Sequence, residues 1–195
     1  MLGSASALPM QTLSRGQLVV AGAAFLMPGA AKAAPSDGDL AYLRLLIGAE
    51  LLAIDFHTRA LRTRRLGSAA GTYRRSLADE RAHYAALARL LTAGGQPPAT
   101  AGDVDFVYPR RSFSSPASIA RLAWRIETLL LGAYLGAVEE VEAPDLRLPV
   151  GQIAASEAQH LSALAPLACR SRIGRPFPAA LTISAASTAL DVFES

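Results

Sequence analysis

The chain has 195 residues, of which 51% are apolar, so it can form one domain with a substantial hydrophobic core. Its formal charge of +3 falls to +1 without residues 1–33, which contain two basic residues and no acidic one. The remaining arginines are scattered in pairs such as Arg64-Arg65, without interleaved aromatic residues, and we therefore expect no nucleic-acid partner. The single cysteine, Cys169, excludes an intramolecular disulfide.

Residues 1–34 have the features of an export signal peptide. Arg15 precedes an apolar run from Leu18 to Met27, and Ala31-Lys32-Ala33 fits a signal peptidase site. The apolar run is short for a transmembrane helix. We therefore expect an exported protein, periplasmic or extracellular, with no stable membrane insertion after cleavage. An uncleaved membrane anchor is the alternative, and the missing second arginine of a twin-arginine signal leaves the export route open.

The rest of the chain, residues 35–195, is predicted to be one all-α domain, an antiparallel four-helix bundle whose core spans about 39–169. Four stretches have helical periodicity and are bounded by capping residues, proline or glycine. A polar, proline-containing stretch from Gln96 to Ser114 predicts a long crossover between helices 2 and 3. Residues 170–195 are predicted to form a strap with a short helix. The four predicted helices run from about Leu40 to Arg64, Ala69 to Thr92, Pro116 to Glu142 and Arg147 to Cys169.

Two copies of the pattern Glu-x-x-His stand on predicted helices, where a spacing of three places both side chains on one face. Another glutamate stands 30 residues before each copy, within an apolar helical run. The two glutamates and the histidine of the first set therefore recur in the second set with one constant offset of 77 residues. Four carboxylates and two imidazoles on four helices are the ligand inventory of a two-metal site in a bundle. The predicted metal ligands are Glu50, Glu80, His83, Glu127, Glu157 and His160.

Oxygen and imidazole ligands suit iron or manganese, and four carboxylates balance the charge of two divalent cations. We therefore expect two iron ions, with manganese as the alternative. His57 and Tyr134 each follow a helix glutamate by seven residues, which places each on the same face as its glutamate. Each is predicted to hydrogen-bond the opposite glutamate or simply to pack, and Tyr134 is also a candidate redox-active, catalytic side chain. Asp55 and Asp79 adjoin this face and are not expected to be ligands.

The six predicted ligands resemble the di-iron signature of the ferritin-like superfamily over about residues 39–169. The segments Ala49 to His57 and Gly132 to Gly136 resemble a group that includes desiccation-related and other exported bacterial ferritin-like proteins. The resemblance implies an antiparallel four-helix bundle with a di-iron or dimanganese centre, in which Glu50 and Glu127 are single-carboxylate ligands. The superfamily includes ferroxidases, rubrerythrins, manganese catalases and oxygenase subunits, so the resemblance does not select one reaction.

Three functions follow from these residues. The first is an oxidoreductase that oxidises ferrous iron or handles peroxide or dioxygen. The second is iron binding without turnover, and the third is a stress-protective bundle without catalysis. The intact set of six ligand residues argues against the third, because a purely structural bundle would be more stable with leucine at these positions. The sequence is also compatible with a homo-oligomer.

Overall fold

The computed structural model describes residues 34–175 and 178–195, so the predicted export signal lies outside the described residues. Within these ranges the regular secondary structure is helical, and none of the helices is long and apolar enough to cross a membrane. A short 3-10 turn at Gly67–Ala69 precedes the second helix. The helices are α1 (Asp37–Arg62), α2 (Ala70–Ala93), α3 (Pro116–Glu140), α4 (Pro144–Leu164) and α5 (Ile183–Asp191).

Helices α1 to α4 form a four-helix bundle in which α1 and α4 each pack against α2 and α3. Two side-chain pairs define the direction of α1 against α3, because Glu50 contacts Tyr134 while His57, later in α1, contacts the earlier Glu127. These helices are therefore antiparallel. The two Glu-x-x-His motifs pair in reverse order, because His83 contacts Glu157 while the earlier Glu80 contacts the later His160. Helices α2 and α4 are therefore antiparallel too. The predicted all-α antiparallel bundle is confirmed.

The connections have the predicted lengths, with short links after α1 and α3 and a long crossover, residues 94–115, between α2 and α3. Ser36 and Ser115 each form a capping box at the start of α1 and α3, which satisfies backbone N–H groups of the first turn. The buried Asp39 carboxylate also accepts N–H groups of Glu142 and Ala143, at 2.8 and 3.3 Å. Asp39 therefore holds the first turn of α1 against the corner between α3 and α4.

The boundaries of α4 differ from those predicted. The helix begins at Pro144, one turn before Arg147, because proline fits the first helical position, where its missing N–H costs nothing. Pro149 then lies inside the helix. The helix ends at Leu164, and Cys169 lies beyond it as an exposed residue with a φ of 55°.

The C-terminal segment packs across the bundle, as predicted for the strap. Helix α5 buries Ala186 and Leu190 and contacts α1 and α3. Its end pairs with the crossover, since the N–H of Val107 donates to the carbonyl of Phe193 at 2.7 Å. Before α5, the N–H of Leu181 donates to the carbonyl of Gly132 at 2.9 Å. A Cβ atom built at Gly136 would lie 1.8 Å from the Leu181 carbonyl oxygen, so this glycine allows the strap to touch the α3 backbone.

Gly136→Ala is therefore expected to lower the free energy of unfolding by about 3 kcal/mol, because the added methyl group displaces strap backbone. Gly48→Ala in α1 is the matched control, since no atom beyond the neighbouring residues and the backbone of its own helix lies within 4 Å of its added Cβ. That control is expected to raise stability by up to about 1 kcal/mol, the helix-propensity difference between glycine and alanine. Urea denaturation of both variants measures the two effects, and equal changes would contradict the close approach of the strap.

Candidate metal centre

Four glutamates, one from each long helix, meet in the centre of the bundle. Glu50, Glu80, Glu127 and Glu157 occupy core-facing positions among apolar neighbours, and each is 0% exposed. The side chains of His83 and His160, on α2 and α4, are 12% and 7% exposed. The carboxylates are thus fully buried, while the imidazoles lie slightly closer to solvent on the α2–α4 side of the bundle.

The six predicted ligands form two groups that share two glutamates. The Nδ1 atom of His83 lies 3.0–3.7 Å from three carboxylate oxygens, and the Nδ1 atom of His160 lies 3.0–3.4 Å from three others. Glu80 and Glu157 each contribute one oxygen to each group, whereas the other two glutamates each contribute to one group. The groups are Glu50, Glu80, His83 and Glu157, and Glu80, Glu127, Glu157 and His160.

Hydrogen bonds cannot satisfy the oxygens of these groups. Each Nδ1 atom hydrogen-bonds the glutamate of its own motif, at 3.2 Å in both cases, although other oxygens lie as near as 3.0 Å. One oxygen of each of the four glutamates is consequently buried without a hydrogen bond. In the described part of the chain, no arginine pairs with any of the four. Buried carboxylates in this condition are costly, so a counter-charge is required.

Two divalent cations fit this requirement. Neighbouring ligands of an octahedral ion at about 2.1 Å are about 3 Å apart, close to the observed nitrogen–oxygen distances. All ligand atoms of each group lie within 4.8 Å of one another. The residues present therefore fit a cation in each group: Glu80 and Glu157 would each offer one oxygen to both positions, and Glu50 and Glu127 would each offer an oxygen to one.

Without a cation, protons bound to glutamate and histidine side chains offset the negative charge of the two ligand groups. Burial raises the pKa of Glu157 and the charge of Glu80 raises it further, to about 8, although both nearby histidines act to lower it. Burial lowers the pKa of His83, but hydrogen bonds and charges from Glu157 and Glu80 raise it to about 9. Cations bind the deprotonated side chains, so metal binding must displace these protons.

Two further side chains on α1 and α3 hydrogen-bond the terminal glutamates. The Tyr134 hydroxyl donates to Glu50 Oε1, and His57 Nε2 lies 3.0 Å from Glu127 Oε1. Both side chains are 0% exposed, and burial lowers the pKa of His57 to about 4, so its imidazole is neutral at neutral pH. Both therefore make the hydrogen bond to the opposite glutamate that the sequence predicts. The catalytic role of Tyr134 stays a prediction.

Asp79 has a role that the sequence analysis missed. Its Oδ2 atom lies 3.3 Å from Nε2 of His160, on the side of the ring away from the carboxylates. A carboxylate in this position fixes the orientation of a ligand histidine. The only sequence signal is its place directly before Glu80. Asp55, by contrast, accepts from Tyr108 and pairs with Arg59, at 2.8 and 2.7 Å.

Asp79→Ala is expected to weaken metal affinity about tenfold, the lower end of the range for such carboxylates, because Asp79 is partly exposed. Helix content should not change. Competition with a chromogenic chelator measures the affinity, with Glu139→Ala, an exposed acid on α3, as the matched control. Equal affinities for the two variants would show that Asp79 does not orient His160.

Comparison with known proteins agrees with this architecture. The family described as ferritin-like domain matches residues 38–169, from the first turn of α1 to the turn after α4. A hypothetical protein from Methanococcus jannaschii DSM 2661, known from a crystal structure, is similar with a TM-score of 0.59 and 13% identity. The alignment covers 95% of this chain and 98% of that one, and at this identity it shows the fold alone. No curated protein matches the sequence. The chain belongs to the ferritin-like domain family.

Proposed function

We propose that this chain is an exported ferritin-like oxidoreductase with a dinuclear iron centre, which oxidises ferrous iron or handles peroxide or dioxygen. Manganese is the alternative metal. The observation that carries the proposal is the pair of adjacent ligand groups that share Glu80 and Glu157. Two ions bound in this way stand next to each other, which a sequestration site does not require.

The donor set supports iron or manganese over zinc, because carboxylate oxygens predominate and structural zinc sites favour a closed tetrahedral cage of cysteine and histidine. Two ferrous ions bound there would supply the two electrons that, with two protons, reduce one hydrogen peroxide to two water molecules. The four glutamates would balance the charge of both cations inside the core. The histidines, nearer the solvent, mark the α2–α4 side as the route for metal and oxidant.

Tyr134 is the proposed catalytic side chain, because its hydroxyl hydrogen-bonds Glu50 deep in the core. Tyr134→Phe keeps the ring and removes this hydrogen bond. We expect oxidation of bound iron to slow by about tenfold or more, while the number of ions bound per chain does not change. Stopped-flow absorbance and elemental analysis of the same preparation separate the two quantities. A rate equal to that of the unchanged protein would exclude a role for the hydroxyl.

Turnover tests the proposal directly. The protein is loaded anaerobically with ferrous iron and mixed with hydrogen peroxide or with dioxygen. Consumption of one peroxide per two ferrous ions, much faster than for iron in buffer, supports a two-electron centre. Bound iron that reacts no faster than free iron with either oxidant would contradict the proposal.

Iron binding without turnover is the second candidate, in an iron-binding or stress-protective bundle. The complete burial of the four carboxylates favours it, because among the six predicted ligands only the two histidines are partly exposed, by 12% and 7%. Stable iron uptake with no acceleration of oxidation would distinguish this function. Export to the periplasm or outside the cell rests on residues 1–34, and fractionation of cells that express the full chain tests it.

A further inference from the structure

Four arginines line one surface pocket beside the start of α3. The pocket has a volume of about 460 Å³ and is formed by the end of the crossover and the first three turns of α3. Two of the arginines belong to the crossover and two to α3, and the lining includes no acidic residue. All four residues are exposed, so a ligand in solution can reach them. They are Arg110, Arg111, Arg121 and Arg125.

The four positive charges of this pocket have no counter-charge in the described part of the chain. Arg59 in α1, for comparison, pairs with Asp55 at 2.7 Å. Among the described residues, no ion pair or side-chain hydrogen bond forms at any of the four arginines of the pocket. Arg121 and Arg125 are four residues apart on one face of α3, where like charges repel each other. An anion bound in the pocket would relieve this repulsion.

The chemistry of the pocket favours a compact anion with several charges. A guanidinium group donates two parallel hydrogen bonds to phosphate or carboxylate oxygens and stays charged at neutral pH. A single carboxylate can pair with only part of a set of four guanidinium groups. Two linked phosphate groups have about three to four negative charges, which match the set. The N-terminal end of α3 lies in the same lining, and its partial positive charge also favours an anion.

We propose that this pocket binds a diphosphate group, either as free pyrophosphate or as part of an ester such as a nucleoside diphosphate. The arginines of α3 and of the crossover bind its oxygens from two segments of the chain. An apolar cavity of about 150 Å³ holds benzene, so about 460 Å³ leaves room beside the diphosphate for part of an ester. The proposal goes beyond the proposed function and does not require a metal at the centre.

Isothermal titration of the full-length protein with pyrophosphate, inorganic phosphate and succinate tests the charge of the ligand. Pyrophosphate is expected to bind at one site per chain, at least about tenfold more tightly than either of the others, because it forms further charge-assisted hydrogen bonds. Its affinity should fall as sodium chloride is added, since salt screens exposed charges. Adenosine diphosphate distinguishes the two sources of the group. Tighter binding than pyrophosphate indicates an ester, and weaker binding indicates the free anion.

Arg121→Gln combined with Arg125→Gln removes two charges and keeps the helix, because arginine and glutamine have similar helix propensities. We expect pyrophosphate to bind about 25- to 100-fold more weakly, which is about five- to tenfold for each arginine. Arg74→Gln combined with Arg75→Gln is the matched control, because it removes two exposed arginines of α2 that lie outside the lining. This control should bind pyrophosphate within about twofold of the unchanged protein. Circular dichroism checks that both double variants keep their helices.

Pyrophosphate also binds metal ions, so the comparison of the two double variants separates the pocket from the metal centre. Binding at the centre would persist when the arginines of α3 are replaced. The proposal is overturned if the unchanged protein binds pyrophosphate no more tightly than phosphate or succinate. It is also overturned if Arg121→Gln combined with Arg125→Gln leaves the affinity unchanged, or if the two double variants weaken binding equally.

Discussion

Glu80→Ala is expected to remove both metal positions of the centre. Glu80 contributes Oε2 to the group around His83 and Oε1 to the group around His160, so its loss takes a ligand from each. Loss of one ligand and of its charge should weaken binding by at least about 100-fold at both positions, more than loss of a supporting carboxylate. The helices should remain, because the apolar core is unchanged. Anaerobic titration with ferrous iron and circular dichroism measure the two properties.

Glu50→Ala provides the sharpest comparison, since Glu50 belongs to the His83 group alone. We expect this variant to lose one position and to retain the other with weaker affinity. Glu139→Ala, exposed on α3, should bind metal like the unchanged protein. The bridging assignment fails if Glu80→Ala and Glu50→Ala bind the same number of ions, or if Glu80→Ala retains full occupancy.

Removal of the metal is expected to lower the melting temperature by about 15–30 °C. A ligand that binds only the folded state at 1,000 times its Kd adds about 4 kcal/mol, and two ions add about twice that. For a chain of this size, 1 kcal/mol shifts the melting temperature by about 2–4 °C. Without the cations, the buried carboxylates must also take up protons or repel one another.

Differential scanning calorimetry before and after treatment with a chelator measures this shift. Glu80→Ala is the internal control, because its melting temperature should not respond to metal. An unchanged melting temperature for the metal-depleted protein would contradict the account and favour a bundle that serves as a scaffold.

The constant offset between the two halves of the sequence was sufficient to predict which residues meet at the centre. Each ligand lies on an apolar helical stripe, and the stripe of an amphipathic helix faces the core wherever the helix packs. The same regularity predicts the hydrogen bonds of His57 and Tyr134, which lie two turns from Glu50 and Glu127. These features depend on local periodicity, which a single sequence contains.

Other features depend on tertiary contacts that periodicity does not encode. That both groups include Glu80 and Glu157, while Glu50 and Glu127 belong to one each, depends on side-chain rotamers and on how the helices cross. Asp79 reaches His160 only because α2 and α4 are neighbours. The arginines are scattered in the sequence, yet the crossover brings two of them next to two on α3. One surface pocket of about 460 Å³ is lined by Arg110, Arg111, Arg121 and Arg125.

The most direct test of the central claim is elemental analysis of the protein purified from its native compartment, together with its optical spectrum. The account expects about two iron or manganese ions per chain. A protein that contains no metal, and that also takes up no ferrous iron under anaerobic conditions, would contradict a metal centre at Glu80 and Glu157.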